Sequence, residues 1–166
     1  TRPPRPAEVD GEDYHFVSEA EFRERIRRGD LIEWAENYGQ LYGTSREDME
    51  EALKGNDLLL DVDTRGARAL KKAWPGGIFV FIVPPSIGEL ERRLRGRGSE
   101  TEETIRRRFD NALREIREIV WYDYVIVNDE LDAAIDRLRA VYLAETCRRE
   151  RMMEQIKPFF DRSGGV

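Results

Sequence analysis

Two guanidinium groups lie close together near the start of the sequence, in the proline-rich stretch of residues 1–6. Prolines separate and follow Arg2 and Arg5, so the backbone is stiff and the spacing of the two side chains is restricted. A planar guanidinium binds phosphate oxygens through paired hydrogen bonds and keeps its charge at any working pH. The same composition is typical of a polyproline ligand for an aromatic groove on a partner. Residues 1–6 by themselves favour neither function over the other.

Arginines are concentrated a second time between residues 92 and 108. Gly96 and Gly98 interrupt the helical pattern there, which is typical of a mobile lid. Such a lid can neutralise phosphate charge, whereas a solvated basic helix face is the simpler alternative. The seven arginines of this segment are Arg92, Arg93, Arg95, Arg97, Arg106, Arg107 and Arg108.

The composition argues against several classes of protein. The 166 residues include 34 acidic and 28 basic side chains, and the formal net charge of −6 argues against general binding to nucleic acids or anionic membranes. With one cysteine, Cys147, and one histidine, His15, neither an intramolecular disulfide nor a zinc-binding set is expected. No stretch reaches the roughly 18 apolar residues of a membrane span. We therefore expect a cytoplasmic protein.

Three apolar runs of strand length predict a parallel sheet. Residues 57–63, 78–83 and 124–128 lack the polar alternation of a half-exposed strand, which is typical of strands covered on both faces. Helical stretches separate them and give a βαβαβα order. Ser86 and Glu89 form a capping box at the start of one of these helices.

The remaining elements are predicted from periodicity and caps. Residues 1–55 contain short aromatic stretches around one helix, which Ser18 and Glu21 would cap, and indicate a small mixed subdomain. Two later helices should each bury one apolar stripe. These stripes are Phe109, Leu113, Ile116 and Val120 in the first and Leu131, Ile135, Leu138 and Tyr142 in the second.

Each apolar run ends in polar or turn residues, and the carboxyl ends of the strands are where ligands bind in open parallel sheets. An acidic pair at the end of a buried strand, together with an arginine-rich lid, predicts a site for a metal ion and phosphate. The residues at these strand ends are Asp61, Asp63, Pro84, Pro85, Asn128 and Asp129.

Several motifs, in the same order along the chain, resemble those of the guanylate kinase family. They occupy residues 1–17, 32–35, 42–44, 60–63, 84–86, 93–98 and 125–129. The resemblance runs from residue 1 to about residue 145 and implies an α/β fold, with a P-loop kinase-type parallel sheet flanked by helices. It also implies one domain over residues 1–166, made of a GMP-binding subdomain (1–55), a core (56–91 and 112–146), a lid (92–111) and a tail (147–166).

The resemblance implies an enzyme that transfers a phosphoryl group from ATP to GMP, with Mg²⁺ as cofactor and no nucleic-acid or membrane partner. Guanine presents N1 and N2 hydrogens that a carboxylate can accept, whereas adenine lacks this donor pair and would leave a buried charge unpaired. The implied GMP-binding residues are Arg2, Arg5, Tyr14 and Tyr42 around the phosphate and Glu33, Thr44 and Asp63 around the guanine.

The same resemblance implies roles in phosphoryl transfer. Arg93, Arg97 and Arg108 match catalytic lid arginines, which spread the charge of the transferring group. Arg93, Arg97 and Asn128 match the ATP-binding residues, and Asp61 matches a position near Mg²⁺, with water between them. Two alternatives stay open, since Asp61 could cap the following helix and Asn128 could simply end its strand.

Two features depart from the family pattern. Arg65 stands where relatives often have glutamine. The sequence contains no Gly-x-x-x-x-Gly-Lys-Ser/Thr phosphate loop, which in the family lies just upstream of the first residue of this sequence. We therefore expect a truncated form that is inactive alone. The alternative function is a non-catalytic guanylate-kinase-like module that binds phosphopeptides, although the retained arginines and carboxylates argue against it.

Overall fold

A computed structural model describes residues 1–37, 39–96 and 101–161. Within it the chain divides into two compact units, Thr1–Gly77 and Ile78–Val166. The boundaries predicted from the sequence at residues 55, 92, 112 and 147 separate a GMP-binding subdomain, core, lid and tail, and they stay predictions.

The first unit is built around an antiparallel hairpin. Strand β1 (Leu31–Asn37) pairs with β2 (Gln40–Ser45), so that Glu33 is opposite Thr44 and Ala35 is opposite Tyr42. Three helices accompany it: α1 (Glu19–Arg28), α2 (Arg46–Ala52) and α3 (Thr64–Ala73). The buried apolar side chains of this unit are Phe22, Ala35, Leu41, Met49, Ala67 and Leu70.

Local signals in the sequence determine where α1 begins and ends. The Ser18 side chain accepts a hydrogen bond from the backbone N–H of Glu21 (3.2 Å), as the capping pattern predicts. Gly29 ends the helix with a left-handed φ of 74°, a conformation that a glycine adopts without steric cost.

The second unit contains a parallel pair of strands, β3 (Val80–Val83) and β4 (Tyr124–Val127). Helices α4 (Ile87–Gly96) and α5 (Glu102–Ile116) and a 3-10 helix (Arg117–Trp121) lie between the strands in sequence. Helices α6 (Leu131–Thr146) and α7 (Arg149–Asp161) follow β4. Ser86 caps α4 by accepting from the N–H of Glu89 at 3.1 Å, which confirms the predicted start of that helix.

Two predicted elements differ from the structure. Residues 57–63 are not a β-strand, because within the described part of the chain their backbone joins no β-ladder, and the Leu59 side chain is 81% exposed. The predicted stripe on α5 ends early, since the helix gives way to the 3-10 turn after Ile116 and the side chain of Val120 points to solvent, 86% exposed.

The apolar face predicted for α6 is also largely exposed. The side chains of Leu131, Ile135 and Tyr142 are open to solvent, whereas Ala134 and Glu145 are buried. The helix packs on β4. Periodicity indicated the helix correctly but not which of its positions the sheet covers. None of the helices within the described ranges has the length and apolar content that a membrane crossing requires.

Candidate functional site

A buried carboxylate and a hydroxyl face each other across the hairpin. Glu33 of β1 and Thr44 of β2 are register partners, and the Thr44 Oγ1 donates a hydrogen bond to the Glu33 Oε1 at 2.7 Å. Glu33 is only 9% exposed. Burying a carboxylate costs free energy unless hydrogen bonds or opposite charges replace the lost water. The buried Glu33 carboxylate therefore requires hydrogen-bond donors around it.

The helix that follows brings a second carboxylate to Glu33. Asp63 is the N-cap of α3, and its Oδ1 accepts from the backbone N–H of Gly66 at 2.8 Å. Arg65 lies 3.3 Å from the other carboxylate oxygen, an ion pair that the sequence did not indicate. The capping role left open for Asp61 thus belongs to Asp63, and Asp61 is exposed.

The two carboxylates influence each other. Burial raises the pKa of the Glu33 carboxyl above its ordinary value of 4.5, and the charge of Asp63 adds to the rise, while the hydrogen bond from Thr44 opposes it. The pocket therefore holds negative charge that its own donors compensate only in part.

A second cluster surrounds Arg2. Its guanidinium binds both oxygens of Glu8, at 2.6 and 2.5 Å, and Glu8 also accepts from the backbone N–H of Arg5 at 2.7 Å. These bonds, chiefly the one from Arg2, lower the pKa of Glu8 to about 2. The pair is largely shielded, with each side chain 15% exposed, so Arg2 is not presented to solvent as a polyproline ligand would require.

Two phenol rings complete the second cluster. The Arg2 guanidinium carbon lies 5.4 Å from the ring centre of Tyr14, whose centre is 6.4 Å from that of Tyr42. The pKa of Arg2 is raised, first by its hydrogen bond to Glu8 and to a smaller degree by Tyr42. Arg2, Tyr14 and Tyr42 are therefore together, as predicted for a phosphate site, and the Arg5 side chain is exposed on the same loop.

The hairpin links the two clusters. Tyr42 and Thr44 are two residues apart on β2, so both side chains project to one face of the strand. Gly43 lies between them, and a methyl group at that position would come within 3.0 Å of the Phe22 ring on the other face. The first unit thus places an arginine and tyrosine cluster along the same face as a carboxylate pocket.

In the second unit, one lid arginine is held next to the end of β4. The Arg93 guanidinium donates to the Glu89 carboxylate at 2.6 Å and to the backbone oxygen of Asn128 at 2.9 Å. The N–H of Asn128 donates to Val83 and extends the ladder between the strands, so Asn128 does end its strand. Arg108 is half-buried on α5, and Arg97 lies outside the described residues.

The described side chains form no group of three or more His, Cys, Asp or Glu that could hold a metal ion. This does not conflict with the Mg²⁺ implied for Asp61, because Mg²⁺ typically takes one or two carboxylates and completes its shell with water and substrate phosphates. A single exposed carboxylate fits that donor set.

Three site residues were missed at the sequence level. Glu8 lies within the motif of residues 1–17 but was given no role there, and the fold of residues 1–8 brings it to Arg2. Gly66 contacts the Glu33 pocket through the packing of α3 on β1, which no local pattern encodes. Glu89 was expected to cap α4, and its carboxylate instead binds Arg92 and Arg93, which lower its pKa to about 2.

A cationic and phenolic cluster beside a carboxylate pocket, carried by an α/β chain with parallel strands, defines a nucleotide-binding protein. A family model described as guanylate kinase matches residues 1–145. The chain belongs to the guanylate kinase family. The predicted α/β fold, the family and the guanylate kinase function are thereby confirmed.

Individual relatives support the same assignment. The guanylate kinase of Syntrophus aciditrophicus is 52% identical over 97% of this chain and 78% of its own length. That of Geobacter metallireducens is 49% identical over 97% of this chain and 80% of its own length. The crystal structure of guanylate kinase from Anaplasma phagocytophilum has a TM-score of 0.73 and 33% identity, covering 94% of this chain and 81% of that one. None of these comparisons favours the phosphopeptide-binding module.

Proposed function

We propose that the first unit binds GMP, with the guanine on Glu33, Asp63 and Thr44, and that this GMP accepts a phosphoryl group from ATP. The observation that carries the proposal is the buried Glu33 carboxylate with its raised pKa. Thr44 supplies a donor to one of its oxygens. The N1 and N2 hydrogens of guanine are a donor pair that would compensate for the rest of its charge.

The same carboxylates account for selectivity. Adenine offers no such donor pair, so AMP would leave the Glu33 charge buried and unpaired, an outcome that costs more than a missing contact at an exposed site. Asp63 keeps one oxygen engaged by the N–H of Gly66 and the other near Arg65. Its position is therefore fixed before the base arrives.

The Arg2 cluster provides the phosphate end of the proposed site. A phosphate dianion offers the same paired acceptors that Glu8 now offers to Arg2, and Arg5, Tyr14 and Tyr42 supply further donors. Glu8 keeps the Arg2 guanidinium in place before GMP binds, so less conformational entropy of the Arg2 side chain is lost on binding.

For the transfer itself, we assign the charge-stabilising role to Arg93, Arg97 and Arg108 and adenine contact to Asn128. Phosphoryl transfer requires mainly positioning and electrostatic stabilisation, which fixed guanidinium groups provide. Asp61 would hold Mg²⁺ through water. When bound with ATP, the ion neutralises charge on the phosphates.

The binding half is tested by calorimetric titration of the chain with GMP. Glu33→Ala should weaken GMP binding about tenfold or more, the scale of lost charge-assisted hydrogen bonds. Glu36→Ala is the matched control, because Glu36 is an exposed acid on the same strand. Equal affinities of wild type and Glu33→Ala for GMP would overturn the proposed guanine site.

The catalytic half is tested by GMP-dependent ADP formation with the full gene product. Arg93→Ala should lower kcat and leave GMP affinity unchanged, since Arg93 belongs to the second unit. Arg23→Ala, at an exposed helix position, is the control. ADP formation that does not depend on GMP would overturn the assigned reaction.

A further inference from the structure

Gly66 occupies the space between the two carboxylates of the pocket. Its backbone N–H donates to the Asp63 Oδ1 at 2.8 Å, while its α-carbon faces the Glu33 side chain. A methyl group at this position would lie 2.9 Å from the Glu33 Oε2, 3.3 Å from its Cδ and 3.2 Å from the Val62 Cβ. Cβ atoms in proteins essentially never come within 3.0 Å of a non-bonded neighbour, so a methyl group at residue 66 would force the Glu33 Oε2 to shift.

The backbone does not require a glycine here. Gly66 lies in the first turn of α3, and its φ is not among the positive values found at Gly11, Gly29, Gly39 and Gly55. In a helix, alanine is favoured over glycine by about 0.5–1 kcal/mol. Helix propensity alone therefore predicts that Gly66→Ala stabilises the protein, and the reason for a glycine must lie in the side chains around it.

The atom that a methyl group would meet first is the end of a flexible side chain. The Glu33 carboxylate can move away by rotation, at modest cost to the fold, and Val62 has to yield only a few tenths of an ångström. The movement would instead disturb recognition, because it would pull the Glu33 carboxylate off its 2.7 Å hydrogen bond from Thr44 and change its position relative to the charge of Asp63.

We infer that Gly66 is a specificity-determining position, at which the lack of a side chain lets Glu33 and Asp63 present their carboxylates together to the guanine edge. The inference rests on the proposed function of Glu33. Gly66 is a positioning residue: it leaves room for the Glu33 carboxylate, and its N–H holds the Asp63 carboxylate by a hydrogen bond. Any side chain at residue 66 displaces the Glu33 carboxylate and leaves the hydrogen bond to Asp63 intact.

The test compares Gly66→Ala with Gly88→Ala by calorimetric titration with GMP and AMP and by thermal unfolding. Gly88 is the matched control, since it lies in the first turn of α4 and a methyl group there would meet only the Ser86 Oγ, at 3.9 Å. Gly66→Ala should reduce GMP affinity about tenfold or more and shrink the preference for GMP over AMP, without lowering the melting temperature. Gly88→Ala should leave GMP affinity unchanged.

A double-mutant cycle separates this inference from the function on which it rests. In the Glu33→Ala background there is no carboxylate to displace, so adding Gly66→Ala should have no further effect on GMP affinity. The inference is overturned if Glu33→Ala weakens GMP binding while Gly66→Ala does not, or if the two losses are additive. The proposed function is overturned if Glu33→Ala itself leaves GMP binding unchanged.

Discussion

The pKa values of two glutamates in the candidate site are shifted in opposite directions, because one glutamate is compensated by the protein and the other only in part. Glu8 finds its partners in the protein, because Arg2 and the N–H of Arg5 satisfy it and lower its pKa to about 2. Glu33 is buried beside Asp63 with a donor from Thr44, and its pKa is raised. Glu8, whose charge the protein compensates, holds Arg2 in position, whereas Glu33, whose charge is compensated only in part, is available to bind donors of a ligand.

We predict that Glu33→Gln stabilises the free protein at neutral pH while weakening GMP binding. The amide keeps an acceptor for Thr44 and removes the buried charge. Since the folded pKa of Glu33 lies above 4.5, the folded protein binds the proton more tightly than the unfolded one. The unfolding free energy of wild type therefore rises relative to that of the variant as pH falls through the folded pKa of Glu33. The extra stability of Glu33→Gln is greatest above the folded pKa and is lost below pH 4.5.

The measurement is urea unfolding of both proteins from pH 8 down to pH 4 without nucleotide. Groups away from the pocket titrate equally in the two proteins, so the difference in unfolding free energy reports the charge of residue 33 together with its interaction with Asp63. The exposed Glu36→Gln should stay within about 0.5 kcal/mol of wild type. A Glu33→Gln variant that is less stable than wild type at neutral pH would show that the charge of Glu33 is well compensated in the empty pocket. The Arg2 pair cancels in this difference because both proteins contain it: the lowered pKa of Glu8 stabilises the fold above pH 4.5, and that contribution is lost as pH falls from 4.5 towards about 2.

At the scale of elements, the predictions that succeeded rest on local interactions. Ser18 and Ser86 cap their helices through contacts three residues away, and such spacing is visible in the sequence. Residues 57–63 have the composition of a strand, but a strand exists only when another backbone pairs with it, and that pairing is not a local property. The family resemblance implied guanine-reading roles for both Glu33 and Thr44, and their contact in the structure depends on the register of the hairpin, which the sequence does not show.

We predict that Tyr124→Phe destabilises the second unit by loosening α6 from β4. The Tyr124 hydroxyl donates to the Glu145 Oε1 at 2.5 Å, and Glu145 is only 5% exposed. In the variant Arg148 still reaches both carboxylate oxygens of Glu145, Oε2 at 2.7 Å and Oε1 at 3.0 Å. Removing one donor from a buried carboxylate should cost about 1 to 3 kcal/mol of unfolding free energy.

Chemical denaturation with Tyr142→Phe as control tests this connection. Tyr142 lies on the same helix with its ring half exposed, so its hydroxyl should matter little. GMP affinity should be unchanged in both variants, because the proposed GMP residues all belong to the first unit. A Tyr124→Phe variant as stable as Tyr142→Phe would mean that Arg148 alone satisfies Glu145.

At the scale of the whole molecule, an acidic chain has to bind an anionic substrate. The net charge of −6 repels nucleotides at long range, so affinity for phosphate must come from fixed local cations. Arginines close to the sites are held by acids, as Arg2 is by Glu8 and Arg93 by Glu89. These pairs keep individual cations in place at the candidate sites, although the chain as a whole is acidic.

The two units should respond separately to the two substrates. We predict that GMP alone slows amide hydrogen exchange in the hairpin of residues 31–45 and in the first turn of α3, and that peptides from residues 124–146 change little. A ligand at 100 times its Kd stabilises the state that binds it by about 2.7 kcal/mol, which is large enough to measure as protection. Hydrogen exchange with mass spectrometry on wild type and Glu33→Ala provides the measurement. Glu33→Ala should lose the protection at GMP concentrations that saturate wild type, and equal protection of the hairpin and of residues 124–146 by GMP would contradict the assignment of the GMP site to Thr1–Gly77.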